Sequence, residues 1–234
     1  MTKLHRVDQG TAEWYKLRLG IPTASMFHKI VTPTGKLSTQ AAEYRYRLIA
    51  ERLLQDTMDQ MPQVEWVDRG KAIQPQAEAQ FSLVNDVELE PGGFVTTDDG
   101  RLGCSPDALI LRPSSAQPVE IKCPAPWTQI GYLLDGPGDH YRPQVQGQLL
   151  VGNFDVAHFY SYHPQMPACH VLTQRDNNYI KLLSSALWEF CDRLDADTER
   201  ARALGAYVVI TNFETPVEKT YDQLSGADFE IKLP

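Results

Sequence analysis

The chain has 234 residues, 42% hydrophobic and 22% charged, a size that suits one domain with a full hydrophobic core. No apolar run reaches the roughly 20 residues that cross a bilayer, and the opening MTKLHRVDQGTAEW lacks the apolar stretch of a secretory signal. The expected compartment is the cytoplasm, with no membrane partner. A formal net charge of −8, from 22 basic and 30 acidic residues, argues against a general nucleic-acid binder, because neutralising phosphates takes Lys and Arg. A protein that gathers its basic residues into one channel escapes that argument.

TAEWYKLRLGIPTASMFHKIV predicts a short helix around Trp14 to Leu17, a break at Gly20-Ile21-Pro22, and a second helix capped by Thr23 or Ser25. LSTQAAEYRYRLIAERLLQD places Ala41, Tyr44, Leu48, Ile49 and Leu53 at helical spacing, with Ser38 or Thr39 as the cap. QPQAEAQFSLVND predicts a helix with Pro75 in its first turn, where proline is tolerated. Strand-like stretches follow: GGFVTTDDGRLGCS, the pair DALIL and VEIK, VAHFYSYHP, and ACHVLTQ. HYRPQVQGQLLVG is helical from Pro143, a long helix runs from Asp176 towards Leu204, and YVVITNF in the tail is a further strand. This order of elements implies an α/β fold, a central mixed β-sheet flanked by helices, in a single domain over residues 1–234. Its core spans about 7–204 and a C-terminal extension about 206–234. The four cysteines, Cys104, Cys123, Cys169 and Cys191, have no C-x-x-C spacing and are expected to be buried small hydrophobes.

The stretch CSPDALILRPSSAQPVEIKCP carries the chemistry. A hairpin turn between Ser114 and Ser115 sets Leu109 opposite Glu120 and Asp107 opposite Lys122, so Asp107, Glu120 and Lys122 share one face. Ile121 and Cys123 then point into the core. Charges inside a buried strand are costly to keep. Two carboxylates, with the backbone carbonyl of Ile121 between Glu120 and Lys122, are the hard oxygen donors that Mg2+ or Mn2+ takes. A lysine beside them orients water and stabilises developing negative charge. The plain alternative is a surface hairpin with an ordinary Glu/Lys pattern; the Pro before Asp107, the apolar ALIL and the following CP weigh against it.

SPDALIL and VEIKCP together resemble the core of the PD-(D/E)xK nuclease superfamily, and more narrowly the lambda exonuclease family of viral recombinase-type alkaline exonucleases. The narrower resemblance rests on EWYKLRLGIPTASMFHKI, where Trp14, Arg18, Gly20, Thr23 and Ser25 follow the family pattern, and on WVDRGKAIQPQAEAQF and YRPQVQGQLLV. It covers about Val7 to Tyr162 in matching order. It implies that Asp107, Glu120 and the Ile121 carbonyl hold two Mg2+ ions, for which Mn2+ can substitute, and that Lys122 activates the attacking water. It implies a pocket of Arg18, Ser25, Ser105 and Gln144 for a terminal 5′-phosphate; Arg offers phosphate a planar fork of donors. Trp66 and Val67 fall where the family places a wedge into the duplex end, and Tyr141 and Gln146 are weaker candidates for DNA contact. Relatives carry Glu or His four residues after the glycine of the third segment, where this chain has Gln74, one helical turn before Glu78.

The resemblance thus implies a Mg2+-dependent 5′→3′ exodeoxyribonuclease, cytoplasmic and phage or prophage encoded. It would act on linear double-stranded DNA as a homotrimeric ring and leave 3′ single strands for a single-strand annealing protein. A ring would let Lys36, Arg45, Arg47 and Lys71 line a channel within an acidic exterior. The alternatives are a PD-(D/E)xK endonuclease or RecB-like repair nuclease, and a non-catalytic DNA-end binding protein. Many repair nucleases build an iron–sulfur cluster from closely spaced late cysteines, and Cys169 and Cys191 are too far apart for that.

Overall fold

The computed structural model describes residues 2–58, 65–113 and 115–204, with the backbone alone for residues 65–68 and 71. At its centre is a five-stranded sheet in the order β2 (Glu90–Pro91), β5 (Ala108–Arg112), β6 (Ser115–Lys122), β7 (Val156–His163), β8 (Met166–Gln174). Only β6 and β7 run parallel, so the sheet is mixed, as expected. β1 (Thr2–His5), β3 (Phe94–Thr97) and β4 (Gly103–Cys104) form a smaller antiparallel sheet.

Alternation along the strands divides the central sheet into two faces. On one face Ala108, Ile110, Val119 and Ile121 pack against Ala77 and Phe81 of α3 (Glu65–Asn85). The other face meets α5 (Arg142–Val151), whose Val145 and Leu149 pack on Ala157 of β7 and Ile180 of α6 (Asn177–Ala203). A larger core joins α2 (Ala41–Leu54), through Tyr44, Leu48 and Ile49, to Leu183, Leu187 and Phe190 of α6. α1 (Ala12–Arg18) and a 3-10 helix, Ala24–Lys29, lie before α2. Gly147 lets α5 approach that 3-10 helix, since a Cβ there would lie 2.5 Å from the Phe27 ring.

Several expectations change. The segment after Thr23 is 3-10, and Thr23, at its N-cap, makes no side-chain cap bond. Gln40, not Ser38 or Thr39, occupies the N-cap of α2, also without a side-chain bond, while Ser38 Oγ accepts the Gln40 N–H at 3.3 Å. α3 begins at Glu65, so Pro75 lies inside the helix rather than in its first turn. Proline removes one helical hydrogen bond there. α4 (Pro126–Asp135), β1 and the two-residue β2 were not anticipated. The long helix lies where expected, and Asp176, just before its first residue, caps it by accepting from the N–H groups of Asn178 and Tyr179. All four cysteines are free, Cys104 and Cys191 buried and the other two half-buried. The tail strand YVVITNF lies outside the described residues. Among the described residues no helix is long and apolar enough to cross a membrane.

The β5–β6 register differs from the assumed one by two residues. Leu109 pairs with Pro118 rather than Glu120, and Ala108 with Val119. Continuing that register sets Asp107 opposite Glu120, not Lys122. Side-chain direction has period two, so an even offset leaves every residue on its original face. Asp107, Glu120 and Lys122 keep their common face, and Ile121 still enters the α3 core.

Candidate active site

Asp107 lies just before β5 and its Oδ2 accepts the Ile121 N–H at 2.6 Å. Glu120, in mid-β6, is 3% exposed. Its Oε1 accepts from the Lys122 ammonium and, at 2.6 Å, from Gln144 Nε2. Its Oε2 accepts from Gln148 Nε2 at 2.5 Å. Gln144 and Gln148 are four residues apart on α5, hence on one face of the helix, and it is the face over β6. Burial, then the neighbouring Glu120 carboxylate, push the Asp107 carboxyl up to about 7, against the opposing pull of Lys122 and the Ile121 N–H. Burial pulls Lys122 down, but the carboxylates of Glu120 and Asp107 outweigh it and hold the ammonium above its ordinary value. The Tyr141 ring lies 5.7 Å from the Lys122 ammonium, and its hydroxyl is 2.8 Å from that of Tyr132.

A second cluster forms two residues before Asp107. Ser105 Oγ accepts from Arg18 Nη1 at 3.2 Å and from the Trp14 indole N–H at 3.0 Å. The Arg18 guanidinium stacks 4.0 Å from the centroid of the Trp14 ring. The chain reaches this position through Gly20, whose φ of +67° suits glycine. Its N–H donates to the buried Glu51 carboxylate at 3.0 Å, and its carbonyl accepts from Arg52 Nε at 2.6 Å. Next, Thr23 bridges to Gly103 in parallel fashion, and Gly103 N–H donates to the Pro22 carbonyl at 3.1 Å. The segment bearing Ser25 therefore runs beside the one bearing Ser105. Ser25 is exposed, with its hydroxyl 3.4 Å from that of Thr23.

Gln74 and Asp107 line one cleft of about 360 Å³ together with Gln9, Trp14, Tyr15 and Gly92. Gln74 Nε2 donates to Glu78 Oε1 at 3.0 Å, which leaves the amide oxygen as its donor to a cation. Gln146 is not brought to this cleft. It is 3% exposed on the opposite side of α5 from Gln144, donating to the Gln174 carbonyl and accepting from the Asp176 N–H, each at 2.9 Å. The side chains of Trp66, Val67 and Lys71 lie outside the described residues. Of the other proposed channel residues, Arg45 pairs with Asp197 at 2.8 Å and Arg47 donates to the Met58 carbonyl, while Lys36 is exposed. Two contributors had no role assigned from the sequence: Trp14, which stands there only as part of the family pattern and here braces Arg18 and Ser105, and Gln148, which was not singled out. The i, i+4 spacing of Gln144 and Gln148 was the available signal for the latter.

Among the described residues no three His, Cys, Asp or Glu side chains converge as a metal cluster. The donor set nevertheless fits a hard divalent cation. Asp107 Oδ1 carries no hydrogen bond to described residues, and the donors on Glu120 Oε1 come from two half-exposed side chains. Two carboxylates supplemented by amide or main-chain oxygen and water match Mg2+ or Mn2+, which keep several waters.

Comparison with known proteins places the fold. A crystal structure of an alkaline exonuclease (LHK-Exo) from Laribacter hongkongensis superposes with a TM-score of 0.73 at 26% identity, covering 84% of this chain and 98% of the other. The same exonuclease in complex with dAMP gives 0.74 at 26% identity and the same coverage. A phage-related exonuclease from Haemophilus somnus 129PT shares the fold, with a TM-score of 0.55 at 17% identity over 76% of this chain and 96% of its own. Among curated proteins none matches. Residues 13–155, more than half of the sequence, match the YqaJ-like viral recombinase domain, and the chain belongs to that family.

Proposed function

We propose that this nuclease is a cation-dependent exonuclease that removes nucleotides, 5′→3′, from the 5′-phosphorylated strand of linear double-stranded DNA and leaves a 3′ single strand. The observation that carries this reading is the adjoining of two clusters: Arg18 on Ser105 and Trp14, two residues from Asp107 in a site shared with Glu120 and Lys122. A terminal phosphate accepts from Arg18, Ser105 and Ser25, and Gln144 lies on the helix above. Anchoring an end in this way favours stepwise removal over internal cutting. Asp107, Glu120, the Ile121 carbonyl and Gln74 are the oxygens that would hold divalent cations, Mg2+ first and Mn2+ as substitute. When bound, such ions polarise the phosphodiester and lower the pKa of water. Lys122 donates towards the phosphoryl oxygens as charge develops and fixes the attacking water by hydrogen bonding. Tyr141 confines the ammonium, and Trp14 confines the Arg18 guanidinium.

The same reading includes a trimeric ring, a single-strand annealing partner and a cytoplasmic, phage or prophage setting. It rests on the family pattern and on the need to gather few basic residues around an acidic chain's substrate. Its test uses linear duplexes with and without 5′-phosphate, and closed circular DNA, each with Mg2+ or EDTA. Release of nucleotides from phosphorylated linear ends only, abolished by Asp107→Ala, is expected. Cutting of the circle would replace the exonuclease by an endonuclease, and inertness throughout would leave an end-binding protein.

A further inference from the structure

Gln148 is 1% exposed and spends its amide nitrogen on Glu120 Oε2. Its own Oε1 is buried and has no hydrogen-bond partner among the described residues. Turning the amide end for end would set its carbonyl against the carboxylate, so Glu120 dictates the orientation and the oxygen is left unpaired. A buried acceptor without a partner is costly. An apolar side chain of the same length would fill the space without that cost. Packing therefore gives no reason for a glutamine here, and Glu120 does.

The two oxygens of Glu120 are served differently. Oε1 takes Lys122 and Gln144, both half-exposed, whereas among the described residues Oε2 has one donor, which is buried. We propose that Gln148 is a positioning residue that pins Oε2, so that Oε1 is the oxygen offered to a divalent cation and can change partners without the carboxylate turning. The proposal deepens the nuclease reading and rests on it for the cation. Groups that orient a ligand from behind typically change metal affinity or activity by about 10–100-fold when lost.

The test compares wild type with Gln148→Met, which keeps length and removes the donor, and with Gln129→Met as a structural control. Gln129 is equally buried, but its amide donates to the Pro167 carbonyl at 2.7 Å and its oxygen accepts from the Ser161 hydroxyl, so it bonds none of Asp107, Glu120 and Lys122. Mn2+ binding without DNA is measured by calorimetry, alongside kcat, KM and the thermal midpoint. Gln148→Met is expected to weaken Mn2+ binding and kcat by about tenfold or more while KM for DNA ends stays unchanged. Gln129→Met is expected to lower the midpoint and leave Mn2+ affinity alone. Should the Met variant not fold, Gln148→Asn, one methylene too short to reach Oε2, is expected to show the same loss. Wild-type Mn2+ affinity and kcat in either folded Gln148 variant would overturn the proposal. A wild-type protein that neither binds Mn2+ nor degrades DNA would overturn the nuclease reading itself, a separate result.

Discussion

The two faces of β6 reach the same depth by opposite means. Val119 and Ile121, at 0% and 6% exposed, face α3 and are held by Phe81 and Ala77. Glu120 between them, at 3%, faces α5 and is held by two amides and an ammonium. A buried carboxylate survives in a central strand only where its desolvation is offset by donors aimed at it. The α3 face thus carries stability, and the α5 face carries chemistry at some cost to stability.

The largest effect that would sharpen this division is on turnover. Asp107→Asn should cut kcat by about 10³-fold or more, given the several kcal/mol that cation binding supplies. The same change should raise the thermal midpoint in EDTA at pH 8, where the native carboxylate must be charged beside the Glu120 carboxylate and partly out of water; a lowered midpoint would break the comparison. Phe81→Ala should do the reverse. It should cost about 3–5 kcal/mol of stability in denaturant titration, with kcat per folded molecule unchanged. Arg18→Ala should lower kcat/KM on phosphorylated ends by about 10–100-fold, the worth of a charged hydrogen bond, and leave unphosphorylated ends unaffected. Equal loss on both ends would remove the phosphate pocket.

The smallest expected effect is in pH dependence, where the faces have opposite signs. Unfolded Asp107 loses its proton near 3.8, but the folded group keeps it up to about 7. In that window the folded cation-free protein binds more protons, so this group's contribution to stability falls as pH rises. On the α3 face, burial and then His170 hold His158 down at about 4, against an ordinary 6.5. Its Nδ1 lies 2.9 Å from His170 Nε2 and its Nε2 lies 3.0 Å from Gln117 Oε1, beneath the Phe81 ring. Here the unfolded state binds the extra proton between 6.5 and 4, so stability falls as pH falls. Melting scans in EDTA should lose the first slope in Asp107→Asn and the second in His158→Gln.

Much of this site was legible because period-two alternation is a strong signal. Asp107, Glu120 and Lys122 fall on one face under the assumed register and under the observed one, and the apolar spacing of Tyr44, Leu48 and Ile49 located α2. The turn itself was not legible, since a run of Pro and Ser fits several loop closures. α4 was missed although Trp127, Ile130 and Leu134 recur at helical spacing after Pro126; in the fold that stripe is exposed while Gln129 is buried, the reverse of the usual arrangement. Helix caps went wrong where backbone geometry selected Gln40 over better side-chain cappers nearby. Gln148 was hidden for a different reason: its i, i+4 spacing from Gln144 puts both on one helix face, but that face gains meaning only once Glu120 is found beneath it.

Trp14 has an optical consequence. Its indole donates to Ser105 and lies against the Arg18 guanidinium, so an anion arriving between Arg18 and Ser105 must alter the surroundings of a fluorophore the chain already owns. Emission from Trp14, with Trp66, Trp127 and Trp188 replaced by Phe, then gauges occupancy of the DNA end without an added label, with EDTA present and no bond broken. Arrival of the end and hydrolysis can be timed as separate events.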